Sequence, residues 1–231
     1  MKYIFLFIFI ALTSTYIYTQ DNILVIKAIA PTHTQLQTNN NDTDQPLFPL
    51  IKGDEVELNN TITSEREIEL TFGINIRLYA VGKTELTVNS GKTENKDYAI
   101  TLKNGSVRIR SRRNTKTPAV IFVQLERTTI KVESADVIIV KNNESVNVTC
   151  ISGSIYIQVH RKNETPENLI TINANETCAF TLRQQGVISA KIDTISNELI
   201  KKYIADFRFS TDIESTAIQQ KGLNHSTIYA P

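Results

Sequence analysis

The chain has 231 residues, with 25 Lys and Arg against 24 Asp and Glu, a formal net charge of +1. A balance this close to neutral excludes a chain built around a polyanionic partner, so no nucleic acid is expected, and any charged patch must be local. Trp is absent, the apolar residues are mostly Ile, Val and Leu, and Thr is abundant, a composition that favours strands over helices in one domain large enough to bury a core.

The first element is a signal. Lys2 precedes an unbroken apolar run from Tyr3 to Leu12, and the run gives way to Thr13-Ser14-Thr15. It is too short to span roughly 30 Å of hydrocarbon comfortably, so residues 1–20 read as a cleaved signal peptide. The mature chain is therefore expected outside the cytoplasm, periplasmic or extracellular. Retention as an anchor is the alternative, and membrane association is expected only in that case. No Cys lies within or just after the run, which excludes a lipidated N-terminus.

Residues 21–47 read as an N-terminal strand, Ile23-Leu24-Val25-Ile26, followed by a polar linker over 31–47 that is rich in turn formers. Residues 48–192 then form the main β domain. From Ile68 to Ala80 the even positions are apolar, the period of half-buried strands, with a turn or bulge at Phe72-Gly73-Ile74-Asn75 and an end at Gly82. Further short strands are predicted at 85–88, 98–102, 106–110, 119–125, 129–132, 137–140, 145–150, 154–159, 168–172, 178–182 and 187–192. Turn signals such as Lys103-Asn104-Gly105 and Ile151-Ser152-Gly153 separate them. The fold class is all-β, a solenoid, sandwich or barrel of many short strands. One amphipathic helix is expected within 193–209, where Ile195, Leu199, Ile200, Tyr203, Ile204 and Phe207 recur at helical spacing behind a cap at Asp193 or Thr194. Residues 210–231 show neither period and read as a loose tail.

Catalytic and metal-binding signatures are few. His33, His160 and His225 are scattered, neither cysteine sits in a CxxC pair, and there is no nucleophile elbow or phosphate-cradling loop. No catalytic residue, metal ligand or cofactor is assigned. The local feature that stands out is Val107-Arg108-Ile109-Arg110-Ser111-Arg112-Arg113-Asn114-Thr115-Lys116. As a strand, it turns Val107 and Ile109 inward and lines up Arg108, Arg110 and Arg112 outward, with Arg113 and Lys116 on the next loop. Such a ridge suits a phosphate or carboxylate partner, as on lipid headgroups or acidic glycans. The simpler reading, and the favoured one, is a solvated strand edge neutralised by Glu65, Glu67 and Glu69. Cys150 and Cys178 are the only cysteines, each in phase with core-facing neighbours. In an oxidising compartment they read either as a disulfide or as separate buried thiols.

The order of elements between Leu50 and Thr177 resembles the FecR domain, an extracytoplasmic β-rich module. Gly53-Asp54-Glu55-Val56 is similar to the family's opening turn, Ile68–Phe72 and Ile76–Leu78 to its paired hydrophobic strands, and Lys83–Val88 to the strand that follows. Leu102-Lys103-Asn104-Gly105-Ser106-Val107 resembles the family's L-x-x-G-x-V step, and Gly153-Ser154-Ile155 its later recurrence. The resemblance implies a non-catalytic envelope module that binds another envelope protein or glycan. Members that control sigma factors across the membrane carry a cytoplasmic domain and an internal span, features this sequence pattern does not show.

Overall fold

A computed structural model of the chain describes residues 24–27, 34–37, 48–49, 52–56, 59–73, 75–89, 97–112, 120–160, 168–183 and 186–209. The predicted signal segment and tail lie outside these residues, as do Arg113 and Lys116.

The alternating sequence produces strands, and two of them are much longer than the pattern suggests. β1 (Leu24–Lys27), β2 (Thr34–Gln37), β3 (Phe48–Pro49), β4 (Lys52–Val56), β5 (Thr61–Ser64) and β6 (Ile68–Phe72) lead to β7 (Ile76–Asn89) and β8 (Tyr98–Ser111). Gly73, at φ +58°, makes the β6–β7 turn as expected. Gly82 does not end β7, and Asn104-Gly105 does not split β8. At Gly82 (φ +67°) and Gly105 (φ +113°) the two paired strands bend together, with register shifts between Val81 and Leu86. Gly105 lies against its neighbour, since a Cβ there would fall 2.6 Å from the Thr84 Cα. A glycine that reads as a turn signal thus marks a bend in continuous pairing.

The bend gives the hairpin two ends that belong to two walls. One end, residues 76–81 of β7 and 106–111 of β8, pairs with β6 and with β11 (Asp136–Asn142), and continues through β12 (Ser145–Ser152) and β15 (Glu176–Arg183) to β16 (Gly186–Thr194). The other end pairs with β5 and, in parallel, with β9 (Val120–Leu125). It continues through β10 (Thr128–Glu133) and β13 (Ser154–Val159) to β14 (Asn168–Asn173). After β8 the chain therefore lays down hairpins alternately, β9–β10 on the second wall, β11–β12 on the first, and so on outward. The 14-stranded sheet is nearly closed and barrel-like. One apolar core joins both walls, with Val107, Ile109, Val137, Ile139 and Val148 from the first and Ile100, Val123, Ile130 and Ile157 from the second.

Among the described residues, the passages between walls are tight corners. β10 reaches β11 through Ser134 (φ +52°) and Ala135, and β12 reaches β13 through Gly153 (φ +80°). The corners stack, because a Cβ on Gly153 would lie 2.6 Å from the Ser134 carbonyl oxygen. One N-terminal expectation changes. β1 pairs with β4 in a separate two-stranded sheet, and Thr34–Gln37, within the stretch read as linker, is a strand that sets Leu36 opposite Ile62. The helix α1 is Asn197–Asp206, later than expected, because β16 runs through Thr194. Ser196 caps it, its hydroxyl accepting from the Leu199 amide at 3.3 Å. No helix among the described residues is long and apolar enough to cross a membrane.

Gly105→Ala should lower the unfolding free energy by about 1–3 kcal/mol, since it imposes a side chain at positive φ against the Thr84 backbone. Gly82→Ala, which meets nothing within 4 Å, should cost less. Urea denaturation of the two variants checks the order.

Candidate functional site

The arginine ridge turns inward on itself. Val107 and Ile109 enter the main core as the alternation predicts, and Arg108 and Arg110 take the opposite face of β8. That face is not open to solvent. Register places Arg108 between Tyr79 and Ile138, and Arg110 between Arg77 and Asp136. Tyr79 and Ile138 belong to a second core completed by Phe207 and Phe209, with Val81, Val140, Ile151 and Tyr203 packed against it. The chain leaving α1 therefore straps the outer face of the first wall, and Arg108 is 1% exposed. The expected outward ridge is corrected for Arg108, which is buried, and for Arg110, which is half-buried. Arg112 is exposed.

The buried charges have named partners. Arg108 donates from Nε to Asp136 Oδ1 at 2.8 Å and from Nη2 to Oδ2 at 2.7 Å, a bidentate fork, while its Nη1 donates to the Phe207 carbonyl at 2.7 Å. Arg110 shares the same carboxylate, Nε to Oδ2 at 3.0 Å. Both guanidiniums also meet the face of the Phe209 ring. Its centroid lies 5.0 Å from the Arg108 guanidinium carbon and 4.7 Å from that of Arg110. Tyr79 packs on the same ring at 6.0 Å between centroids. Burial, a hydrogen bond with Glu67 and the charges of Glu67 and Glu69 push the Tyr79 hydroxyl well above the ordinary tyrosine range. Chemically, this is a lock that holds the C-terminal strap, and an anionic ligand would have to displace both Asp136 and Phe209. Asp136 and Phe209 are not among the residues that sequence reading selects, and Phe207 is selected only as part of the helix's apolar stripe. The available signal was strand phase, because Asp136 and Ile138 fall on the face that Arg110 and Arg108 occupy across the β8–β11 register.

Cys150 and Cys178 both face the core, as the alternation predicts, and both are free thiols. The disulfide reading is corrected by register. Cys150 lies opposite Glu176 and Cys178 opposite Val148, so the thiols are diagonal neighbours. Diagonal positions are about 7–8 Å apart, more than the Cα span a disulfide normally bridges. Burial first, then the charges of Asp136 and Glu176, push the Cys150 thiol up to about 11, against a lowering contribution from its contact with the Ser152 carbonyl. Burial also raises Cys178.

A second surface lies on the outer face of the other wall. Phe122, Thr129, Lys131, Glu133, Tyr156, Gln158 and Leu169 line a shallow depression of about 390 Å³. Lys131 and Glu133 pair at 2.7 Å, which leaves the depression without net charge, and Leu169 is 63% exposed.

Asp136→Ala should destabilise the fold by about 3–5 kcal/mol, because it strands a buried guanidinium. Chemical denaturation gives the size, and faster tryptic cleavage at Lys201 and Lys202 would show the strap released. Native protein should resist iodoacetamide at pH 8 and, once denatured without reductant, should alkylate at both Cys150 and Cys178 by mass spectrometry.

The family model described as FecR protein matches residues 57–156. No curated protein matches the chain. Two crystal structures of a candidate anti-sigma factor from Parabacteroides distasonis ATCC 8503 are similar to it. One has a TM-score of 0.46 at 10% identity, covering 61% of this chain and 61% of that one. The other has 0.46 at 11%, covering 64% and 63%. The chain thus spans less than two thirds of either structure. The segment that is similar to the FecR family model holds the bent β7–β8 hairpin, Arg108 and Asp136.

Proposed function

We propose that this chain is an exported, non-catalytic module of the cell envelope that binds another envelope protein in signalling or assembly. The observation that carries the reading is the FecR match over residues 57–156, together with the Lys2-led apolar run that reads as an export signal. Arg108 and Arg110, two of the residues that first suggested an anionic ligand, are engaged with Asp136, which favours a protein partner over an acidic glycan or lipid. Its mechanism rests on surface complementarity. The depression with Phe122 and Tyr156 on the second wall has the aromatic, neutral character common at the centres of protein interfaces.

The test is covalent capture in intact cells with a cleavable cross-linker, using a tagged full-length chain. A single envelope protein should co-purify with the wild type, and the Phe122→Ser, Tyr156→Ser double variant should recover at least about tenfold less of it, a loss of about 1.4 kcal/mol. Both side chains are only half-buried, so the variant should remain folded by circular dichroism. A chain recovered alone, or fractionating with the cytoplasm, would refute the reading.

A further inference from the structure

The main path of the sheet, from β14 through β8 to β16, ends at β14 and β16, and these two ends are finished differently. β16 carries Lys191 and Asp193, paired at 2.9 Å with side chains 78% and 52% exposed, the kind of charge that discourages a foreign strand from docking. β14, Asn-Leu-Ile-Thr-Ile-Asn, has no charge and no proline. Leu169 on it is 63% exposed.

The hydrogen-bond phase of β14 follows from the neighbouring pairing. The His160 amide donates to the Arg127 carbonyl at 2.7 Å, which fixes 127 with 160 as a directly bonded pair. Antiparallel pairs alternate, so Tyr156 and Gln158 direct their backbone groups to β10, and Ile155, Ile157 and Val159 direct theirs to β14. Register then turns Asn168, Ile170 and Ile172 toward β13. Leu169, Thr171 and Asn173 direct their amides and carbonyls away from the sheet. The Asn173 amide donates to Glu176 Oε2 at 2.7 Å. Among the described residues, the backbone groups of Leu169 and Thr171 remain without a strand to pair with.

We infer that β14 pairs antiparallel with β14 of a second copy, about a two-fold axis at Ile170, with Leu169 opposite Thr171. In this register the unfilled amides and carbonyls of one copy meet their complements in the same residues of the other. Ile170 meets Ile170 on the inner face, and the Thr171 methyl covers Leu169 on the outer face. A strand with no charge has no like charge to set against itself, and an isologous contact closes at the dimer. An axis through Thr171 instead would oppose Leu169 to Asn173, whose amide Glu176 already holds. The contact is short, since Glu176 caps its end, so association is reversible and weaker than an obligate interface.

Sedimentation velocity on the full chain purified from the envelope, from about 1 to about 200 µM, should show a monomer–dimer equilibrium. The exposed-site double variant Leu169→Lys, Thr171→Lys should weaken association at least about tenfold with an unchanged circular dichroism spectrum. Ile192→Lys, on the edge of β16, should leave it unchanged. Ile170→Cys should oxidise to a covalent dimer, because non-bonded antiparallel partners place their Cα atoms about 4.5 Å apart. A chain that stays monomeric over the whole range, a dimer indifferent to the β14 lysines, or an edge that binds only an added extended peptide would each overturn the inference.

Discussion

The bend shared by β7 and β8 is the constraint on which this fold turns. A flat hairpin as long as this one would extend a single sheet. Because Gly105 lets the Thr84 backbone approach within side-chain distance, the strands deflect together and each end starts a wall of its own. Everything after β8 follows from that. Hairpins are added to alternate walls, the corners at Ser134 and Gly153 stack, and the two inner faces close on one core.

The same geometry makes the outer face of the first wall a place of its own. A residue such as Arg108, pointing away from the main core, would normally be solvated. Here the chain after α1 returns across that face, and a buried guanidinium is tolerated because the Asp136 fork, the Phe207 carbonyl and the Phe209 ring replace its water. The strap lies outside the segment that matches the FecR family, while the residues it locks onto lie inside. The FecR segment thus provides a charged socket, and residues beyond it provide the plug.

The two surfaces proposed for partners differ in kind. The depression on the second wall presents side chains, suited to a folded protein face. The edge of β14 presents backbone, which recognises an extended strand with little regard to sequence. Leu169 belongs to both, so a strand docked on the edge covers one rim of the depression.

Much of this was legible in the residues. Alternation located nearly every strand from Ile68 onward, gave the correct inward set at Val107, Ile109, Cys150 and Cys178, and the L-x-x-G-x-V step at Leu102–Val107 pointed to the family. Local pattern reports which side of a strand a residue occupies, because that depends only on the two-residue period. It does not report what lies on that side, and so Arg108 read as exposed until Phe207 and Phe209, about a hundred residues later, were seen to cover it. Nor does it fix register, which is why two inward cysteines read as a bond when β12 and β15 pair them diagonally. The glycines show the same division. Gly82 and Gly105 carry a backbone freedom visible in any sequence, but whether that freedom reverses the chain or bends a continuous strand depends on the strand beside it, a matter of tertiary structure alone.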